Sequence, residues 1–204
     1  MIKRVVLDEQ IKKDTDFIND YVENKKFDGI KFKKYYEYTE IINCYFKNCN
    51  FSETTFQGID IENTLYENTN LSNNDYNERS FNIVEFRNCN LVGTNFSDAY
   101  LENVIFKNCN LLYANFSGSN LKNVKFENCI LDETSFNEIK WKELLFEECK
   151  LKGTEFVKTK LKDLDLSTCD ISDMALDINY IKGLIVSYNQ AAIISTILGI
   201  KIKN

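Results

Sequence analysis

The inventory of side chains able to do covalent or acid/base chemistry is short in this chain of 204 residues. There is no histidine, which removes Ser-His and Cys-His nucleophile pairs, imidazole general bases and imidazole-rich metal sites. Seven cysteines remain, at Cys44, Cys49, Cys89, Cys109, Cys129, Cys149 and Cys169. None forms a CxxC pair, so no zinc site or dithiol redox centre is encoded, and no metal or other cofactor is expected. P-loop and GxGxxG motifs are absent. Adjacent carboxylates, Asp132 with Glu133 and Glu147 with Glu148, read as solvated surface unless a pocket holds one pKa above the other. An enzyme is not expected.

What the chain does offer is charge. It carries 31 acidic against 25 basic residues, a formal net charge of −6. Residues 1–40 balance, with nine of each sign, so the acidic excess lies in residues 41–204. Direct binding to nucleic acid is not expected of such a surface, because phosphate neutralisation needs a basic stripe. The candidate partner-binding residues are Glu62, Asp98, Glu102, Glu143 and Asp163.

Those carboxylates must be positioned by a repeat. From Ile41 to Ile171 every fifth residue is apolar, 27 positions without a miss. In a chain that is 44% hydrophobic, chance gives such a run with a probability of roughly 10⁻¹⁰. A period of five suits neither helix nor strand. A second column, two residues before the first, runs from Cys44 to Cys169, and 20 of its 26 members are Ala, Cys, Ser, Thr or Val. Large and small residues therefore alternate inside one tube, and the cysteines, all in the small phase, are expected as free buried thiols.

A longer period lies over the short one: FRNCNL at 86, FKNCNL at 106, FENCIL at 126 and FEECKL at 146 recur at constant spacing. That spacing is four pentapeptides, so one coil has four five-residue sides. Coils stack about 4.8 Å apart, giving a rod on the order of 34 Å over residues 41–171. Stacking puts Glu62 and Glu102 on one wall, with Asp98, Glu143 and Asp163 near it. A smooth acidic rod has the gross form of a duplex, although DNA carries a charge about every 1.7 Å, far more than this chain does. The same carboxylates would also keep a rod soluble.

The units NCNLV, GTNFS, YANFS and GSNLK resemble the pentapeptide-repeat family. That resemblance implies an all-β fold, a right-handed quadrilateral parallel β-helix, to which the residues near the end add a short C-terminal α-helix. Three regions are expected: an N-terminal cap with imperfect first coils (1–40), the repeat helix (41–180), and a C-terminal helix and strand (181–204). The segment IKRVVL reads as a strand covering the open end. Phe17, Val22, Phe27 and Phe32 keep the period one place out of phase, which calls for a one-residue deletion or bulge near Lys33–Glu40. At residues 72–80, Asn74 and Arg79 occupy inward positions, which a projecting loop or a distorted coil would each accommodate.

Near the end, SYNQAAIISTILGI predicts a helix, with Asn189 as N-cap and Gly199 as its stop. Ala191, Ile194, Ile197 and Leu198 form the candidate dimer interface, with packing within one chain as the alternative. IKIK is a candidate last strand. Gly183, Gln190, Ala191, Leu198, Gly199, Ile200 and Ile202 resemble the ending of the Qnr-type quinolone-resistance proteins. That similarity implies an end-to-end homodimer, binding to DNA gyrase or topoisomerase IV, and protection of the enzyme from quinolones. Several Qnr proteins carry projecting loops tied to protection, and here only residues 72–80 are a candidate. The alternatives are an antibiotic-immunity or gyrase-inhibiting protein, or an interaction module with another partner. No apolar stretch approaches the length of a membrane-spanning helix and no signal-peptide pattern opens the sequence, so no membrane association is expected and the location read is cytoplasmic.

Overall fold

The five-residue period becomes a coil because, from Asn63 to Asp163, every fifth backbone residue turns a corner in the left-handed region. In one representative coil the corners are Asn103, Asn108, Tyr113 and Gly118, with φ of 57°, 54°, 61° and 72°. Asparagine tolerates that conformation better than most residues, and it supplies 11 of the 22 left-handed non-glycine positions among the described residues. The computed structural model describes residues 9–11, 21–32, 35–37, 39–52, 54–56, 58–197 and 199–201. They form a right-handed, four-sided parallel β-solenoid of about eight turns with one short helix at the C-terminal end.

Two adjacent faces are sheet and two are turns. The strands Ile59–Glu67, Ser80–Arg87, Tyr100–Lys107, Asn120–Glu127 and Lys140–Glu147 each bend at a corner and stack in parallel one coil apart, as in Leu101↔Leu121 and Phe106↔Phe126. On the third and fourth faces asparagine side chains intervene. Asn110 Oδ1 accepts the Leu112 N–H at 3.1 Å and Asn115 Oδ1 accepts that of Ser117 at 3.0 Å, so these faces form Asx turns joined by isolated bridges.

Inside the tube, two columns of aromatic rings run along the axis. Phe86, Phe106 and Phe126 stack with centroids 4.9 and 4.8 Å apart, and Phe96, Phe116 and Phe136 with 4.8 and 4.9 Å. The columns meet edge to face, as at Phe106–Phe116. Small residues fill the rest. All seven cysteines are free and buried, with thiols donating to carbonyls such as Phe86 O from Cys109 at 3.4 Å.

The early coils keep the inward pattern with a shifted register. Val22 pairs with Ile41 and Phe27 with Phe46, one residue short of the full-coil spacing that Tyr36 and Phe56 keep. The deletion therefore falls between Lys31, which pairs with Asn50, and Tyr35, which pairs with Thr55. Phe17 and IKRVVL lie outside the described residues, as do the last residues of IKIK.

Residues 72–80 form an ordinary coil with no excursion, bridged at Asp75↔Asn95. Asn74 stays inward and buried because its polar atoms are satisfied: Nδ2 donates to Phe51 O at 2.8 Å and Oδ1 accepts from the Tyr76 hydroxyl at 3.2 Å. Arg79 is half-buried.

The helix spans Tyr188–Ile197, and its cap corrects the sequence reading. Ser187, not Asn189, is the N-cap: its hydroxyl accepts the Gln190 N–H at 3.4 Å while Gln190 Oε1 accepts the Ser187 N–H at 2.7 Å. S-x-x-Q closes a reciprocal capping box that Asn189, already inside the first turn, cannot form. Gly199 stops the helix as expected, at φ 75°, with its N–H on Thr196 O and that of Ile200 on Ser195 O, both 2.9 Å.

Candidate partner-binding surfaces

The flat face carrying Leu101 presents two outward columns whose charge changes sign along the rod. One runs Ile42, Glu62, Asn82, Glu102, Lys122, Lys142, each paired to the next, and continues at the same spacing to Lys162 and Lys182. The other runs Glu40, Asp60, Ser80, Tyr100, Asn120, Lys140, and continues to Lys160. The N-terminal half of this face is acidic and the C-terminal half basic.

At the acidic end a groove of about 290 Å³ is lined by Glu40, Asp60, Glu62, Ser80 and Asn82 with Ile42 and Ile61. Asp60 Oδ1 accepts the Ser80 N–H at 3.0 Å, and Glu62 is exposed. Glu102 stands two coils along the same column as Glu62, with Asn82 between them. Its carboxylate accepts Lys122 Nζ at 2.5 Å and the Tyr100 hydroxyl at 2.9 Å. The Lys122 bond, then the Tyr100 bond, hold Glu102 below the usual carboxylate range.

The other candidate carboxylates sit at corners. Asp98 is exposed at φ 55°, in the same corner column as Gly118. Glu143 and Asp163 share a different corner column, one coil apart, in the lysine-rich half, with Glu143 3.8 Å from Lys142. The fold thus brings Glu62 together with Glu40 and Asp60, and keeps Asp98, Glu143 and Asp163 apart from that group. Glu40 and Asp60 were missed in the sequence, although their full-coil spacing beside Glu62 was a readable signal. The neighbouring face is self-neutralising, with Lys125 Nζ 3.4 Å from Glu127 and 2.7 Å from Glu147.

The C-terminal end is apolar. Ile194 packs against the core, while Ala191, Ala192 and Ile193 are exposed on the helix and Tyr188 is 94% exposed. The Ile197 side chain and all of Leu198 lie outside the described residues. Gln190, buried, ties the helix to the last coils: its Nε2 donates to Leu166 O at 2.9 Å and Cys169 O at 2.6 Å. Among the described residues no group of His, Cys, Asp and Glu is arranged to hold a metal ion, and no helix is long and apolar enough to cross a membrane.

Two trypsin-treated forms of QnrB1, described as a plasmid-mediated fluoroquinolone resistance protein, are similar in structure, with TM-scores of 0.53 and 0.50 at 23% and 22% identity. The matches cover 96% of this chain in both cases, and 95% and 96% of theirs. At that identity the likeness speaks for the fold alone. No curated protein matches the chain. The profile of the pentapeptide repeat region matches at residues 39–116, 59–136, 79–156 and 119–179. These matches overlap across the same coils that the strand pairing builds, and the chain belongs to the pentapeptide-repeat family.

Proposed function

We propose that this chain is a cytoplasmic, DNA-mimicking rod that binds DNA gyrase or topoisomerase IV and confers quinolone resistance by protecting the enzyme. The observation that carries the reading is the acidic half of one flat face, where Glu40, Asp60 and Glu62 converge on a straight solenoid. The Qnr-like C-terminal ending supports it, as does the fold shared with QnrB1, a fluoroquinolone resistance protein. In this reading the carboxylates occupy phosphate-binding positions in the enzyme's DNA groove, Glu102 and Asp98 extend the contact, and the bond weakens with salt. Glu143 and Asp163, among lysines, add less. The region 181–204 joins two copies end to end through Ala191, Ile194, Ile197 and Leu198, doubling the rod.

A gyrase supercoiling assay with and without a fluoroquinolone tests this. Restored supercoiling in drug is expected, and its loss on replacing Glu40 and Glu62 by lysine. A second reading, inhibition of the enzyme without rescue, is favoured by residues 72–80, which form a plain coil where a projecting loop would serve protection. Inhibition with no rescue supports that reading. No effect in either arm sinks both and leaves an interaction module with another partner.

A further inference from the structure

The solenoid comes apart at one place on its sheet faces. The strand Lys140–Glu147 pairs with Asn120–Glu127 behind it, but residues 160–167 form no β-pairing with it, whereas pairing resumes on the third face at Lys150↔Asp170. The cause lies at Trp141. Earlier coils put Ile61, Phe81, Leu101 and Leu121 at this inward position, and all are buried. An indole is too large for the column, so Trp141, the sole tryptophan, is only partly buried and points its Nε1–H at Lys160 O, 2.7 Å away. One coil later the equivalent carbonyl, Tyr180 O, is taken by the backbone N–H of Leu161 at 3.0 Å. The indole has replaced the backbone as donor.

The opened seam is a cleft of about 760 Å³ lined by Lys140, Lys142, Lys158, Lys160 and Lys162, with Trp141 and Tyr180. Its carboxylates are Glu138, Glu143 and Asp163, so the lysines outnumber them five to three. Lys158 bonds Glu138 at 3.0 Å and Lys142 lies 3.8 Å from Glu143, while Lys140, Lys160 and Lys162 form no ion pair among the described residues. The seam also frees donors. The backbone N–H groups of Trp141 and Glu143 make no bond to residues 160–167, although their equivalents, Leu161 and Asp163, bond Tyr180 O and Gly183 O. The Lys160 carbonyl is already occupied. The break frees carbonyls, such as those of Ile139 and Lys162, along with these N–H groups, so the donor excess of the cleft comes from its lysines, three of them outside any ion pair among the described residues, which is the chemistry of an anion site.

We propose that this cleft binds an oligophosphate chain, free or as part of a nucleotide. Its volume matches a small ligand. A long polyanion such as a duplex would run onto the acidic half of the same face, whereas a short one ends between the flanking carboxylates.

The test is calorimetric titration of the full chain at low salt with sodium tripolyphosphate and with ATP, alongside Trp141 fluorescence. One saturable site per chain is expected. Lys160→Gln with Lys162→Gln should weaken it about tenfold or more, since two charge-assisted bonds are lost. Trp141→Leu should also abolish it with every lysine in place, by letting the coils pair. Lys150→Gln with Lys152→Gln, on another face, should leave it unchanged; circular dichroism checks that each variant keeps its fold. Tighter binding of ATP than of tripolyphosphate assigns the cleft to nucleotides and the reverse to inorganic polyphosphate, and either supports the inference. No saturable binding, equal weakening by the Lys150/Lys152 pair, or full binding by Trp141→Leu would overturn it.

Discussion

Ile83 is where side chain and backbone disagree. It is the sole β-branched residue among the described left-handed positions, at φ 55°, a conformation costly for such a side chain. It also breaks an asparagine column. Asn63 Nδ2 donates to Asn43 Oδ1 and Asn123 Nδ2 to Asn103 Oδ1, both at 2.7 Å, but Asn63 Oδ1 is buried without a partner because Ile83 follows it. Ile83→Asn supplies the missing donor and a residue suited to the corner. A gain of about 1–2 kcal/mol is expected, read as a rise in Tm of about 2–4 °C per kcal/mol. An unchanged or lower Tm would mean that the half-buried isoleucine packs better than the column bonds. The thiols make a second residue-scale prediction. Burial pushes Cys44 up to about 12 and Cys49 to about 11, and raises Cys109 as well. An unfolded thiol ionises near about 8.5, so the stability these groups contribute is complete below that pH and is lost as pH rises through their folded values. Each adds up to about 1.4 kcal/mol per pH unit to the slope. With no histidine to titrate, Tm should be flat between about pH 6 and 8 and fall in alkali. Cys44→Ala with Cys49→Ala should make the alkaline limb shallower; an unchanged limb would assign it to other groups.

At the scale of elements, the helix Tyr188–Ile197 is held by one polar side chain as much as by apolar contact. Gln190 Nε2 covers Leu166 O and Cys169 O, carbonyls of the last coil that no further coil pairs. Gln190→Leu keeps the size and removes both bonds, leaving Cys169 O unsatisfied and Leu166 O with the Cys169 N–H alone, at a cost of about 1–3 kcal/mol. Hydrogen exchange should then show the helix and residues 166–169 losing protection while the coil around Phe106 keeps it, because a solenoid couples chiefly nearest neighbours. Uniform loss along the rod would argue against a local seal. These elements differ in how far the sequence revealed them. The four-sided coil, the inward cysteines and the helix with its glycine stop were legible, because each rests on a side-chain period or a single backbone requirement. The cap was misread since Asn189 and Ser187 are both good caps, and only the return bond from Gln190 distinguishes them. The seam was invisible for a related reason. Trp141 satisfies the apolar period, and a period says which way a side chain points but not whether the space there holds it.

Over the whole molecule, the net charge concealed a separation of charge. An excess of six acids suggested one acidic wall, but the stacked columns sort carboxylates to the N-terminal half of the flat face and lysines to the C-terminal half. The columns were readable from position numbers alone; the sum over residues hid them. This polarity bears on how two copies would meet. Joined through the exposed apolar helix residues Ala191 and Ile193, two rods would place their basic halves centrally and their acidic halves at the tips, and the contact would owe little to charge. Packed side by side and antiparallel, the acidic half of one would face the lysines of the other, and salt would dissolve the pair. Sedimentation equilibrium over a range of ionic strength separates the two. The expected result is a dimer whose dissociation constant barely changes with salt and which Ile193→Lys converts to a folded monomer. A dimer that salt dissociates and Ile193→Lys leaves intact would move the interface to the charged face, and would hide in the dimer the very carboxylates proposed to meet the topoisomerase.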